Sequence, residues 1–206
     1  MPIQLTLPLF TQLTTAPPEF AAKYWPHVQK LFPTYGLNES RNRLAACVAQ
    51  LVVESNRLQD VEEGLYYKDP LRLATIFRRA FDVNKNKLID AADIAAATPF
   101  ARNPKALSVK LYNGFHGRGL IQITWETNYV AYGTAVGRDI RGNPDLLLQP
   151  LDAVESACWF LKANKAFGLA DAGDIDGVTR IVNPAMMHAA ERRAAFYACL
   201  RVLSSV

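Results

Sequence analysis

The sequence predicts a mainly α-helical, two-lobed domain with a small β element, and three observations carry that prediction. Apolar residues recur at three-and-four spacing in successive segments, helix-start signals stand at Ser40 and at Asp69-Pro70, and strand-like alternation is confined to residues 120–124. With 206 residues, half of them hydrophobic, the chain can bury a sizeable core without a second domain. We therefore expect an N-terminal arm over residues 1–18 and one domain over 19–206.

Residues 1–18 end in Pro17-Pro18 and read as an irregular arm or a pro-helical leader that packs on the body. A helix is expected from Glu19 to Leu31. Ser40 is an N-cap for a helix running to Glu54, whose Leu44, Cys47, Val48, Leu51 and Val52 form a buried stripe, so this helix should be central. Asp69-Pro70 is a cap followed by a proline at the first helical position, opening a helix through Phe81 with Leu73, Ile76 and Phe77 inward. Asn143-Pro144-Asp145 marks a turn, and Leu151–Ala163 reads as a core helix burying Val154, Cys158, Trp159 and Leu161. Helices are also expected over Asp174–Val182 and Ala185–Leu203, the latter with Met187, Ala194, Tyr197 and Leu200 near one face. Short β-ribbon segments belong at Leu120–Thr124, where Ile121, Ile123 and Trp125 interleave with Gln122 and Thr124.

The formal charge of +4 and isoelectric point near 9.0 favour an anionic polymer without demanding one. Basic residues come in ones and twos, as at Arg78-Arg79 and Arg192-Arg193, with no aromatic-flanked cluster of the kind that binds nucleic acid. The three cysteines cannot all pair within the chain; Cys47, Cys158 and Cys199 sit among apolar residues and suggest buried thiols, with one disulfide left open. No apolar run is long enough to span a membrane, and Met1-Pro2-Ile3-Gln4 does not open a secretory signal. The expectation is synthesis in the cytoplasm and action on a cell wall after lysis or specialised secretion. His27, His116 and His188 show no metal-ligand spacing and read as surface or packing residues.

Chemistry concentrates in two places. Glu54 closes the central helix beside its apolar stripe, a setting that disfavours a charged carboxyl and suits a general acid. Glu63 follows on a loop beyond Ser55-Asn56, where a solvated carboxylate could deprotonate water. Two carboxyl groups separated by about 6.5–9.5 Å across a scissile bond make an inverting glycosidase. Residues 117–124, Gly-Arg-Gly-Leu-Ile-Gln-Ile-Thr, alternate so that Gln122 and Thr124 face a cleft while Ile121 and Ile123 face the core.

These segments resemble the glycoside hydrolases of family 19, in the short form of phage endolysins and bacterial chitinases. Val53-Glu54-Ser55-Asn56 stands where the family carries His-Glu-Ser-Gly, and Glu63-Gly64-Leu65-Tyr66-Tyr67 where it carries Glu-Asn-Leu-Asn-Tyr. Phe100-Ala101-Arg102-Asn103-Pro104, residues 117–124, Asn128-Tyr129, Asn143-Pro144-Asp145-Leu146 and Ile181-Val182-Asn183 continue the series in the family's order over roughly residues 40–200. The resemblance implies an α+β lysozyme-like fold with its small β element at the cleft, Glu54 as general acid, Glu63 as general base, and Thr124 as a hydroxyl that holds the water. Gln122 and Asn183 would line the sugar cleft, with Tyr67 and Asn128 as further subsite residues. Gly117 and Gly119 would let the backbone approach the substrate, and Arg118 would organise carboxylates by a bidentate pair. Departures stand at Val53, Gly64 and Tyr66, and at Pro184-Ala185, which replaces a glycine pair.

Asp82, Asn84, Asn86, Leu88, Asp90 and Asp93 have EF-hand spacing, Leu88 offering its carbonyl, which implies an inserted calcium loop at 82–93. Lys87 stands where glycine is usual, and Asp93 is shorter than the usual bidentate glutamate. Catalysis itself needs no cofactor on this reading. The expected function is inverting cleavage of β-1,4 linkages in peptidoglycan, as an endolysin or antibacterial cell-wall effector. The alternatives are chitin oligomers as substrate, or an inactive carbohydrate-binding module of the same fold. An effector would bring with it an immunity or inhibitor protein that plugs the cleft.

Overall fold

The computed structural model describes residues 1–205, and almost all of its regular structure is helical. Helix α1 spans Leu7–Thr14 and α2 spans Pro18–Tyr35. Of the two readings of the N-terminal arm, the helical one that packs on the body holds: Thr6 caps α1, whose Leu9, Phe10 and Leu13 are buried, so apolar burial orders a segment whose flanking prolines look disruptive. Gly36, at φ 82°, ends α2 in the left-handed conformation and donates to Phe32 and Pro33 carbonyls.

Helix α3, Arg41–Glu54, begins at the expected cap, Ser40 Oγ accepting from the Arg43 amide at 3.1 Å. Every residue from Leu44 to Leu51 is buried, so α3 is surrounded rather than amphipathic. The next helix starts as expected at Asp69-Pro70 but breaks in two: α4 covers Pro70–Ile76 and α5 covers Arg78–Phe81, with Phe77 outside helical geometry at ψ 41°. Ile76, the last residue of α4 and expected inward, is 49% exposed, whereas Leu73 is buried and Phe77 partly so. Helix α6, Ala91–Ala97, and α7, Pro104–Tyr112, complete this region.

Helices α8 (Glu126–Val136), α9 (Pro150–Ala163), α10 (Ala166–Asp171), α11 (Ile175–Val182) and α12 (Ala189–Leu203) follow. In α9, Val154, Cys158 and Leu161 are buried as expected, while Trp159 is only partly so. In α12 the buried face is Arg192, Phe196, Cys199 and Leu203. Met187 and Tyr197, expected near one inward face, are 57% and 55% exposed. An apolar pattern alone could not find this face, since its largest buried member is a guanidinium.

Two hydrophobic clusters result. The larger surrounds α3, with α12, α10, α11 and α1 against it and α2 packed on α9. The smaller gathers Leu65, Leu73, Ala74, Phe81, Ala97 and Leu107. Leu58 belongs to the first and Leu65 to the second, so the segment carrying Glu63 passes from one to the other. The small β element at 120–124 is not a ribbon. It reduces to two isolated antiparallel bridges, Glu62 with Arg118 and Arg118 with Ile123, because Gln122 at φ 54° leaves the extended region.

Candidate active site

Glu63 is fixed from three directions. Its backbone amide donates to the Gly117 carbonyl at 2.9 Å, the Gly117 amide donates to Glu63 Oε2 at 3.1 Å, and the Tyr112 hydroxyl donates to Glu63 Oε1 at 2.7 Å. Burial and the adjacent Glu63 carboxylate push the Tyr112 phenol well above its ordinary value, so it serves as a neutral donor. Tyr67 is likewise raised, by burial and then by the charge of Glu63, which places it in the same neighbourhood; its ring meets Phe77 edge-on with centroids 5.5 Å apart.

The 117–124 turn closes under Glu63. Arg118 and Ile123 exchange backbone hydrogen bonds of 3.1 and 2.8 Å, and the residues between them form a tight loop. Ile121 and Ile123 are buried while Gln122 and Thr124 are partly exposed, so the expected division of faces holds without a strand. A Cβ on Gly117 would lie 2.7 Å from Gln122 Oε1 and 3.4 Å from Thr124 Oγ1, which brings Glu63, Gly117, Gln122 and Thr124 into one group. The Thr124 hydroxyl donates to the Gln122 carbonyl at 2.9 Å, and Asn128 Nδ2 donates to the Thr124 carbonyl at 2.8 Å. Asn128 therefore supports the loop from behind. Gly119, at φ 81°, turns toward Ser156 and Ala153 rather than toward solvent, so its role is close packing inside the protein.

Arg118 does not form the bidentate pair expected of it. Its Nη1 donates to the Gly114 carbonyl at 3.2 Å and the Tyr129 hydroxyl at 3.0 Å, and its Nε lies 3.2 Å from Asp145 Oδ1 outside hydrogen-bond geometry. Beside it runs a chain that sequence reasoning missed. Ser108 Oγ lies 2.6 Å from His116 Nδ1, and His116 Nε2 lies 3.0 Å from Glu62 Oε1. His116 is buried, and its carbonyl accepts from the Tyr129 hydroxyl. The peptide joining His116 to Gly117, whose N–H reaches Glu63, is thereby anchored through both the ring and the carbonyl.

Glu54 belongs to a second group. The expected apolar border is instead ionic: Arg192, 1% exposed, pairs through Nη2 with Glu54 Oε1 and through Nη1 with Gln50 Oε1 at 2.6 Å. Gln50 Nε2 donates to Thr179 Oγ1 at 3.1 Å, and the Asn183 amide donates to the Thr179 carbonyl at 2.7 Å, so Asn183 sits on the same side of the molecule as Glu54. Arg192 Nε reaches the Met187 carbonyl at 3.2 Å. The predicted residues thus fall into a Glu63 group on the 117–124 turn and a Glu54 group between α3, α11 and α12. A cavity of about 640 Å³ adjoins Glu63; Glu54 does not line it.

In the 82–93 loop the proposed calcium donors bond to one another and to backbone. Asp82 accepts from the Asn86 and Lys87 amides at 3.1 and 3.0 Å, Asn84 Nδ2 donates to Asp90 Oδ2 at 3.0 Å, and Leu88 N–H donates to Asn86 Oδ1 at 2.8 Å. Asp90 and Asp93 form the capping box of α6, and the buried Asp93 also accepts from the Val83 amide at 2.8 Å. Among the described residues, no three His, Cys, Asp or Glu side chains converge as metal ligands. Lys87 takes φ 63° where glycine would be unstrained.

A predominantly helical lysozyme-like domain, with one glutamate seated on a glycine-rich turn and another closing the central helix, defines a protein of the glycoside hydrolase class. The family model described as Chitinase class I matches residues 89–200, slightly more than half of the chain. The chain belongs to glycoside hydrolase family 19. A glycosyl hydrolase family 19 domain-containing protein of Haemophilus influenzae is 29% identical over 208 residues, covering 87% of this chain and 92% of that protein. Chitinase 8 of Oryza sativa is 51% identical over a stretch covering 22% of this chain and 18% of that protein. Among solved structures, chitinase C of Streptomyces griseus aligns with TM-score 0.63 at 18% identity, covering 97% of this chain and 76% of that one. A bacterial family 19 chitinase aligns with TM-score 0.61 at 17% identity, covering 98% and 95%. At such identities these structural likenesses concern the fold.

Proposed function

We infer that this protein is an inverting glycosidase that cuts β-1,4 linkages in the glycan strands of peptidoglycan. The observation that carries the reading is the seat of Glu63, whose two carboxylate oxygens are held by Tyr112 and Gly117 on the turn that also carries Gln122 and Thr124. A carboxylate so fixed is oriented before substrate arrives, as a general base acting on water must be. Thr124 is the hydroxyl assigned to hold that water, and Gln122 the amide assigned to the sugar. Glu54 is assigned as the acid that protonates the leaving oxygen, with Arg192 and Gln50 setting its orientation. Direct displacement by water needs no covalent sugar intermediate, so the first product is the anomer opposite to the substrate's.

Chitin is the second reading, favoured by the names of the relatives, which include plant endochitinases and a Streptomyces chitinase. Net positive charge supports an anionic wall polymer instead. The test is fragment analysis by mass spectrometry after digestion of purified peptidoglycan and of N-acetylglucosamine hexamers, with the product anomer read by proton NMR. Release of α-anomeric ends by the wild-type protein and none by Glu63→Gln or Glu54→Gln is the expected result. Binding without release by the wild-type protein would mark an inactive carbohydrate-binding module.

A further inference from the structure

Glu63 itself lines the cavity of about 640 Å³, together with side chains of both charges and apolar surface. Glu62, Asp145 and Lys105 contribute charges, while Leu65 and Val109 contribute apolar surface. Arg118, only 7% exposed, also lines it, with a guanidinium whose Nη1 is already bonded to Gly114 and Tyr129 and whose Nε is buried from solvent. The Asp145 side chain facing that guanidinium is 70% exposed and open to another cation. A cavity of this size falls in the range of about 300–1,000 Å³ that takes a small ligand. An N-acetylglucosamine polymer is neutral and can offer these side chains only hydroxyl and amide hydrogen bonds, whereas a ligand with charges of its own can pair with them.

We propose that this cavity is a binding site for the peptide branch of peptidoglycan, a ligand that carries carboxylates, an ammonium group and aliphatic carbon together. The proposal rests on the assignment of Glu63 as the base. Lys105 supplies the positive side, Glu62 and Asp145 the negative side, and the exposed Val109 contacts the aliphatic part. Placement agrees with the chemistry. Glu63 lines the same cavity as Glu62, Lys105 and Asp145, so a glycan held at Glu63 brings its branch within reach of those charges. A branch can enter there while the sugar backbone stays on the 117–124 turn. The same site would raise activity on branched glycan relative to bare glycan and make that advantage sensitive to salt.

The test compares initial rates, at substrate concentrations below saturation, on glycan strands bearing their peptides, the same strands stripped by an amidase, N-acetylglucosamine hexamers, and partly deacetylated hexamers. Branched strands should be cut about tenfold faster than stripped ones, the value of one charge-assisted contact. Lys105→Ala and Val109→Trp should each remove most of that advantage and leave the rates on stripped strands and hexamers unchanged. Equal rates on branched and stripped strands would overturn the proposal, and so would a preference for deacetylated hexamers, which would assign the charges to an amino sugar. Calorimetry with a muramyl disaccharide bearing or lacking its peptide reads the same preference without turnover. Failure to cut any substrate therefore counts against Glu63 as base, while equal affinity for the two disaccharides counts against the branch site.

Discussion

Glu63 and Glu54 are held by partners of different kinds, and substitutions should fail differently. Glu63 accepts from a phenol and a backbone amide at the surface of the turn, so Glu63→Gln should fold normally and lose about 10²–10⁴-fold in kcat. Coincident thermal melts of variant and wild type, set beside fragment release, check both halves of that statement. Arg192 is a buried cation whose charge is balanced by Glu54, and Arg192→Leu should cost about 3–5 kcal/mol by leaving that carboxylate uncompensated. Urea unfolding measures it; a loss below about 1 kcal/mol, the scale of an exposed ion pair, would sink the idea that the pair is structurally buried. The positions of the two glutamates, at the end of α3 and on the loop after it, can be read from the sequence because ordered motifs surround them. Arg192 cannot be, since it stands 138 residues from Glu54 and looks, beside Arg193, like a surface basic pair. His116 was missed for a related reason: its partners Ser108 and Glu62 lie 8 and 54 residues away, and no local spacing joins them.

At the scale of the element, caps were easy to read and turns were hard. Ser40 and Asp69-Pro70 mark their helices because a side-chain oxygen satisfying free amides is a local event. The 117–124 turn reads as a strand from its alternation, yet Gln122 and Trp125 both take positive φ, a choice enforced by tertiary bonds such as Trp125 N–H to the Phe115 carbonyl at 2.8 Å. The 82–93 loop has ligand spacing, but its side chains already satisfy one another and the start of α6. Asp93→Ala should therefore destabilise by about 1–2 kcal/mol whether or not calcium is present. Millimolar calcium should leave the melting temperature of the wild type unchanged; a rise of several degrees that EDTA reverses would establish an ion site there instead.

The whole molecule follows the predicted class, and its two clusters of buried apolar residues correspond to two lobes. What composition left open, the structure decides for the thiols: Cys47, Cys158 and Cys199 are free and buried, with desolvation pushing Cys47 and Cys199 up to about 12. A thiol-specific chromogenic reagent should find almost no reactivity in the native protein and three equivalents after denaturation. Acid should loosen the larger lobe. Asp171 is held below the usual carboxylate range, chiefly by its hydrogen bonds from Arg43 and then by that from Ser40, linking the start of α3 to α10. Its stabilising contribution is complete above the ordinary value of about 3.9 and is lost as pH falls through the lower folded-state value, so Asp171→Asn should flatten the fall in melting temperature below about pH 4. The union of Glu54 with Arg192 has one more implication. The partner of Glu54 is donated by α12, so a chain clipped ahead of Ala189 would possess both glutamates and leave Glu54 without its cation. Loss of α12 would thus fall on the Glu54 side of the molecule and not on the bonds that hold Glu63.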